Sequence, residues 1–146
     1  MDCWRQHVGC HARKEDVLGF GNRWYPVAVR TAESVRLPSG RSIRLIAPPV
    51  FLATKLEAFH GRGGGDFLAS HDLEDIALVV DGRPELVNEV ATCEIALCTY
   101  LADEIGSLLR NAAFLEALSG HLPGDETSQA RLPIIRERLR LLARPG

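Results

Sequence analysis

One lysine and two aspartates in the middle of the chain have types and a spacing that could support chemistry. Lys55 follows Phe51 by four positions and precedes Phe59 by four, which places it on an apolar face of a predicted helix. A lysine among apolar residues must extend to solvent, lose its proton or pair with an anion. Asp72 and Asp75 lie three positions apart on the next predicted helix. We predict that the Lys55 ammonium lies within ion-pair distance of one of them.

Two structural explanations of the same residues stay open. Carboxylates in the first turn of a helix stabilise the helix dipole by about 0.3–1 kcal/mol each, without any ligand. A Lys–Asp pair can also simply join two packed helices. The glycine run Gly63-Gly64-Gly65 is not a phosphate-binding P-loop, because the Gly-Lys-Ser/Thr that should follow is absent.

The elements that must position these residues have the order of an α+β fold. Val35 and Leu37 alternate with polar residues, Pro38-Ser39-Gly40 has turn composition, and Ile43 and Leu45 alternate again. This pattern predicts a half-buried β-hairpin. We interpret residues 1–146 as a single domain. Its parts are a poorly ordered or remnant start (1–16), a β-rich part (17–46) and a helical part (47–146).

Helices are predicted from the hairpin to the end of the chain. The first runs over about 50–60, the second begins at Ser70 or His71 and ends at the Asp81–Pro84 break, and Pro84 opens the next. The apolar stripe of the helix that Pro84 opens continues to Leu108, and the helix has a candidate break at Thr92. The last helix opens near Pro133. In it Ile135, Leu139 and Leu142 are expected to point inward, and Arg136, Arg138 and Arg140 mostly outward.

Composition and charge limit the class of protein. The chain has 46% hydrophobic and 25% charged residues, as in an ordinary soluble domain. Its net charge of −2 does not favour nucleic acid as the default partner. No apolar run approaches the roughly 20 residues of a membrane span, and the first residues contain no signal-peptide core. We therefore expect a cytoplasmic protein with no membrane partner.

The four cysteines do not form paired Cys-x-x-Cys motifs. Cys93 and Cys98, five positions apart on one predicted helix, should point about 140° away from each other, so we predict two separate thiols rather than a disulfide. Near the start, four residues within nine positions have zinc-ligand types. The alternative is a loosely ordered terminus in which their proximity has no meaning. These four residues are Cys3, His7, Cys10 and His11.

Three consecutive segments resemble motifs of AbiEii-type nucleotidyltransferases, a family of abortive-infection toxins. They are Phe51–Ala58, the glycine-rich stretch Gly61–Gly65, and Ser70–Ile76, in which His71 stands where the family more often has arginine. The segment Leu18–Tyr25 is also similar to one in bacterial relatives. The resemblance covers roughly residues 17–143 and implies a nucleotidyltransferase fold.

The resemblance implies transfer of a nucleotide from a nucleoside triphosphate to a tRNA end or a protein. In the family, two Mg²⁺ ions held by carboxylates activate the acceptor and steady the pyrophosphate. Lys55 would neutralise a triphosphate oxygen, and Arg62 would reach a phosphate. Of Asp72 and Asp75, one would assist near the acceptor or the lysine and the other would orient the site. An antitoxin partner is also implied.

The chain departs from the family at the metal site. The family uses a Gly-Ser turn followed by Asp-x-Asp, and no Asp-x-Asp occurs in this sequence. The one Gly-Ser, Gly106-Ser107, lies in a late helical pattern, and residues 8–12 offer no third acid. Because these acids are absent, we expect a truncated nucleotidyltransferase fold with no metal site and no enzyme activity. We also expect the chain to self-associate, because truncation leaves the edge of the hairpin unpaired.

Three hypotheses therefore remain from sequence. The chain is a nucleotidyltransferase whose front part is missing, or a non-catalytic remnant that binds a nucleotide or a protein. The third is an unrelated small α/β interaction domain with an N-terminal zinc site.

Overall fold

The computed structural model describes residues 21–62 and 65–145. A short helix, α1 (Tyr25–Thr31), precedes an antiparallel hairpin of β1 (Glu33–Arg36) and β2 (Ser42–Leu45), and helices form the rest. A 3₁₀ turn at Leu118–His121 lies between the helices Ala112–Ala117 and Glu126–Gln129. The later helices are α2 (Pro48–Gly61), α3 (His71–Gly82), α4 (Leu86–Ala91), α5 (Ile95–Leu109), α6 (Ala112–Ala117), α7 (Glu126–Gln129) and α8 (Leu132–Leu142). The predicted α+β class, a hairpin followed mostly by helices, is confirmed.

The helix α2 is the centre of the packing. Pro48 and Pro49 occupy its first turn, where a backbone N–H has no partner within the helix in any case. Its apolar residues face several directions, and Leu52, Ala53 and Leu56 have no exposed surface. The helices α1, α3, α4 and α5 all pack on α2, and α8 closes the bundle over α3, α4 and α5. The buried residues of α2 are therefore held by neighbouring helices on several sides.

The arginines of α8 do not follow the simple outward pattern expected from the sequence. Arg138 Nη1 donates to the carbonyl oxygen of Val80 at the end of α3, over 2.8 Å. Arg136 Nη2 donates to the carbonyl oxygen of Leu115 over 3.3 Å. Of the three arginines only Arg140 is exposed. The prediction was wrong for Arg136 and Arg138 because the last carbonyls of a helix lack partners within it, and long arginine side chains supply them.

The hairpin forms at the predicted place but is less buried than predicted. Val35 pairs with Ile43 across the strands, and Gly40 completes the turn with a φ of 85°. Every residue of β2 is exposed, including Ile43 (38%) and Leu45 (48%). Among the described elements, no helix packs extensively on either strand. The alternation correctly predicted strands, but it cannot tell whether anything covers their apolar face.

Two further differences concern elements that the sequence analysis did not anticipate. The helix α1 lies within residues 17–46, which were expected to be β-rich, and Pro26 stands in its first turn. The single turn α7 begins after Asp125, whose side chain accepts a hydrogen bond from the Ser128 N–H. Both elements are short and local in their hydrogen bonds.

Among the described helices, none has the length and apolar character to cross a membrane.

A buried asparagine ties the start of α1 to the middle of α2. Asn22 Nδ2 donates to the carbonyl oxygen of Thr54 over 2.8 Å, and its Oδ1 accepts from the Trp24 N–H over 3.1 Å. The residue is only 5% exposed. Asn22 thus satisfies both ends of its amide inside the protein, while Trp24 and Ala28 pack beside it in the core.

We predict that Asn22→Ala lowers the free energy of unfolding by about 1–3 kcal/mol, because it leaves the Trp24 N–H without its acceptor in a buried place. Urea unfolding followed by circular dichroism measures the change. The matched control is Asn88→Ala, at an exposed position of α4, which should stay within about 0.5 kcal/mol of the unmodified chain. Equal effects of the two substitutions would contradict the anchoring role.

Candidate functional site

The ion pair predicted from the sequence is present between α2 and α3. Lys55 Nζ lies 2.7 Å from Asp75 Oδ2 and 3.6 Å from Asp72 Oδ1. Ser70 begins α3 by accepting a hydrogen bond from the Leu73 N–H, which places both aspartates in the first turns of the helix. Lys55 therefore bridges both carboxylates, where the sequence predicted an ion pair with one of them.

A second cation completes the cluster. Arg62, the residue that ends α2, places Nη1 2.6 Å from Asp72 Oδ2. Asp72 has a side chain that is only 4% exposed, and each of its oxygens faces a different cation. We call Lys55, Arg62, Asp72 and Asp75 the charge cluster. Its two positive and two negative groups balance, so burial of Asp72 leaves no unpaired charge in the interior.

The surroundings of Lys55 explain how a lysine fits an apolar helix face. Its ammonium lies 5.5 Å from the centre of the Phe51 ring, and its side chain is 27% exposed. The neighbouring Leu52 and Phe59 are buried. Lys55 therefore follows one of the options open to it from sequence. Its stem lies along apolar surface and its amine reaches an anion.

A surface cavity of about 230 Å³ opens beside the cluster. Arg62 and Asp72 line it, whereas Lys55 and Asp75 are not among its lining residues. The other residues of its wall come from the end of α2, the following loop and the start of α3. They are Phe59, Gly65, Asp66, Ala69, Ser70 and His71. The structure thus brings all four predicted site residues together but exposes only two of them to the cavity.

The loop that forms one wall of the cavity is held by two residues that the sequence analysis did not single out. Asp66 Oδ1 accepts from the N–H groups of Leu68 and Ala69, over 3.2 and 2.9 Å. The buried His121 bonds through Nε2 to the carbonyl oxygen of Phe67 over 2.6 Å. An aspartate after a glycine run is a turn signal that could have been recognised. The His121 contact spans 54 residues and has no local signal.

His71, which stands where the family more often has arginine, lies on the surface. Its side chain is 89% exposed, and Nδ1 lies 3.2 Å from Glu74 Oε2. It contributes to the cavity wall but makes no ion pair with the charge cluster in the described part of the chain. Of the basic residues that line the cavity, Arg62 is the one that reaches Asp72 in the described part of the chain.

The described residues do not fit a Mg²⁺ site. Such a site needs several oxygen ligands that are free of other cations. Asp72 already faces Lys55 and Arg62, and Asp75 faces Lys55. Among residues 21–62 and 65–145, no group of three or more His, Cys, Asp or Glu side chains comes together to hold a metal. The N-terminal zinc-ligand candidates lie outside the described residues.

Comparison with protein-family models, with curated proteins and with solved structures finds no match for this chain. The charge cluster, the cavity and the sequence motifs are therefore the features that bear on function.

We predict that Lys55→Met lowers the free energy of unfolding by about 1–3 kcal/mol, because the buried Asp72 then keeps only the exposed Arg62 as a partner. Asp75→Asn should cost less than about 1 kcal/mol, since that carboxylate is 41% exposed. Urea unfolding measures both.

The control is Arg83→Met, which breaks the Arg83–Glu89 pair on the surface, where both partners are partly exposed. Its effect should be at or below that of Asp75→Asn. If Lys55→Met costs no more than Arg83→Met, the charge cluster does not stabilise the contact between α2 and α3.

Proposed function

We propose that this chain is a nucleotidyltransferase-like protein in which the cavity beside the charge cluster binds the phosphate groups of a nucleoside triphosphate. The observation that supports this most directly is the assembly of Lys55, Asp72, Asp75 and Arg62 in one place. The motif resemblance assigned roles at one site to these four residues. A nucleotidyltransferase site of that kind requires these four side chains to lie close together.

The phosphate-binding group of the proposed site is Arg62. One of its nitrogens bonds to Asp72, and the remaining N–H groups of the guanidinium are donors suited to phosphate oxygens. Its side chain is 65% exposed, so a ligand in the cavity can reach it. The N-terminus of α3, at the same cavity, adds a partial positive charge.

The size of the cavity limits what it holds. Pockets that enclose a whole small-molecule ligand have about 300–1,000 Å³. At about 230 Å³, this cavity accommodates phosphate groups and leaves the ribose and base outside it. The proposed site therefore recognises the phosphates more strongly than the base, so ATP, GTP, CTP and UTP should bind with similar affinities.

Lys55 has a different role from Arg62 in this proposal. It holds the buried Asp72 and the more exposed Asp75, and Asp72 in turn orients Arg62 towards the cavity. A phosphate oxygen can compete with Asp75 for Lys55, because Asp75 is the partner in contact with water. Lys55 thus positions the site before a ligand arrives and neutralises phosphate charge afterwards.

A second candidate is a non-catalytic protein that binds a nucleotide or a partner protein without transferring anything. The observation in its favour is the absence of Asp-x-Asp from the sequence, together with the pairing of both cluster aspartates with cations. A tRNA or protein acceptor and an antitoxin partner belong to the first candidate and follow from the family resemblance.

We predict that the four common nucleoside triphosphates bind the purified chain in Mg²⁺ and that Arg62→Ala weakens binding by roughly tenfold or more. A charge-assisted hydrogen bond contributes about 1.5–3 kcal/mol, and 1.4 kcal/mol corresponds to a factor of ten. Isothermal titration calorimetry measures the affinities.

Arg83→Ala is the matched control, because Arg83 pairs with Glu89 and does not line the cavity. Its affinity should equal that of the unmodified chain. Absence of binding, or equal losses in the two variants, would refute the proposed phosphate site.

A transfer assay separates the two candidates. With labelled nucleoside triphosphate, Mg²⁺ and either tRNA or protein as acceptor, we expect residues 1–146 to bind the nucleotide without incorporating label, because the sequence lacks the carboxylates that cage the metals. Incorporation that disappears in Lys55→Ala would favour an active enzyme instead.

A further inference from the structure

Two thiols that the sequence pattern separated are in contact in the structure. Cys93 Sγ and Cys98 Sγ lie 2.8 Å apart, and both cysteines are free. The prediction that they point about 140° apart was wrong, because Cys93 is not on the helix that contains Cys98. The chain leaves α4 at Ala91, and α5 begins only at Ile95.

The turn between α4 and α5 fixes this contact. Thr92 ends α4, with its N–H and its Oγ1 both bonded to the carbonyl oxygen of Asn88. Glu94 then adopts an extended conformation (φ −56°, ψ 139°), and its carbonyl oxygen accepts the Cys98 N–H over 3.0 Å. This change of direction lays Cys93 beside the first turn of α5. The sulfurs are therefore held together by backbone hydrogen bonds on both sides.

The hydrogen bonds of the two sulfurs give them different chemical roles. Cys98 Sγ donates to the carbonyl oxygens of Val90 and Cys93, over 3.0 and 3.1 Å. The Cys93 thiol is left to donate towards the Cys98 sulfur. Burial, and after it the hydrogen bond and charge of Cys98, raise the pKa of Cys93 to about 12. Cys93 therefore remains a protonated thiol at neutral pH and is a weak nucleophile, which leaves Cys98 to attack first.

A small reagent can reach the pair. Both cysteines are partly exposed, and the adjacent Ile95 is 82% exposed at the start of α5. A disulfide needs a sulfur separation of about 2.05 Å, so the thiols have to approach by only roughly 0.8 Å. A small adjustment of side-chain rotamers is enough, and the helices need not separate.

We propose that Cys93 and Cys98 form a redox-active dithiol, which low-molecular-weight disulfides of the glutathione type convert to an intrachain disulfide. Cys98 loses its proton and attacks one sulfur of the reagent, which forms a mixed disulfide and releases a thiolate that takes up that proton. In the mixed disulfide Cys98 carries no charge, so one of the causes that raise the pKa of Cys93 is removed, while burial, the largest cause, remains. Cys93 attacks the Cys98 sulfur, and its proton goes to the second departing thiol. The protein loses two electrons and two protons, and the reagent gains both.

The proposal predicts a defined product. The full chain carrying Cys3→Ser and Cys10→Ser is equilibrated with mixtures of reduced and oxidised glutathione, quenched in acid and analysed by mass spectrometry. We expect a mass loss of about 2 Da for the two hydrogens, with residues 93 and 98 linked in one peptide. Dithiothreitol should reverse it. In addition, Cys93→Ser should accumulate a glutathione adduct on Cys98, which the chain with both thiols should not.

Thermal unfolding gives a second test that needs no substitution at the pair. Because the turn already holds the sulfurs together, oxidation should raise the unfolding midpoint by about 3–8 °C over the reduced chain. A glutathione adduct that accumulates on Cys98 equally with and without Cys93 would overturn the proposal. So would complete resistance of both thiols, or a lower midpoint after oxidation.

Discussion

The described structure depends on one buried carboxylate. Asp72 lies in the first turn of α3 with almost no contact with water, and an aspartate in that place is tolerated only because cations face both of its oxygens. Lys55 comes from the middle of α2 and Arg62 from its end, so the carboxylate fixes two points of one helix against the start of the next. The contact between α2 and α3, and the wall of the cavity beside it, are set by this arrangement.

The position of α2 explains why the arrangement is rigid. Four of the described helices pack around α2, and its apolar residues are buried in several directions, so the lysine it presents has little freedom of backbone position. The opposite holds for the hairpin, whose second strand is exposed along its whole length. The described residues thus combine a fixed site with an exposed strand. The fixed site is the part suited to binding a ligand, because bound phosphates need groups that are already in place.

Balanced charge is also what favours the proposed phosphate-binding role over a metal-dependent one. Carboxylates that face Lys55 and Arg62 are satisfied, whereas a divalent cation needs carboxylates that are not. The same pairing leaves Arg62 with spare donors at the cavity. The two cysteines between α4 and α5 depend on a different constraint, since backbone hydrogen bonds of a tight turn hold them together. The two proposals therefore concern different reagents, and each can be tested without disturbing the other.

The sequence by itself determined what is local or periodic. It placed the hairpin strands, the starts of α2 and α3, and an ion pair of Lys55 with Asp72 or Asp75, because a spacing of three or four residues fixes a helix face and neighbouring helices must pack. Tertiary structure decided the rest. That Arg62 reaches Asp72, that His121 bonds to Phe67, and that Cys93 meets Cys98 all depend on where a chain turns. No periodicity encodes the direction in which a segment leaves a helix, so these contacts follow only from the packed arrangement of helices.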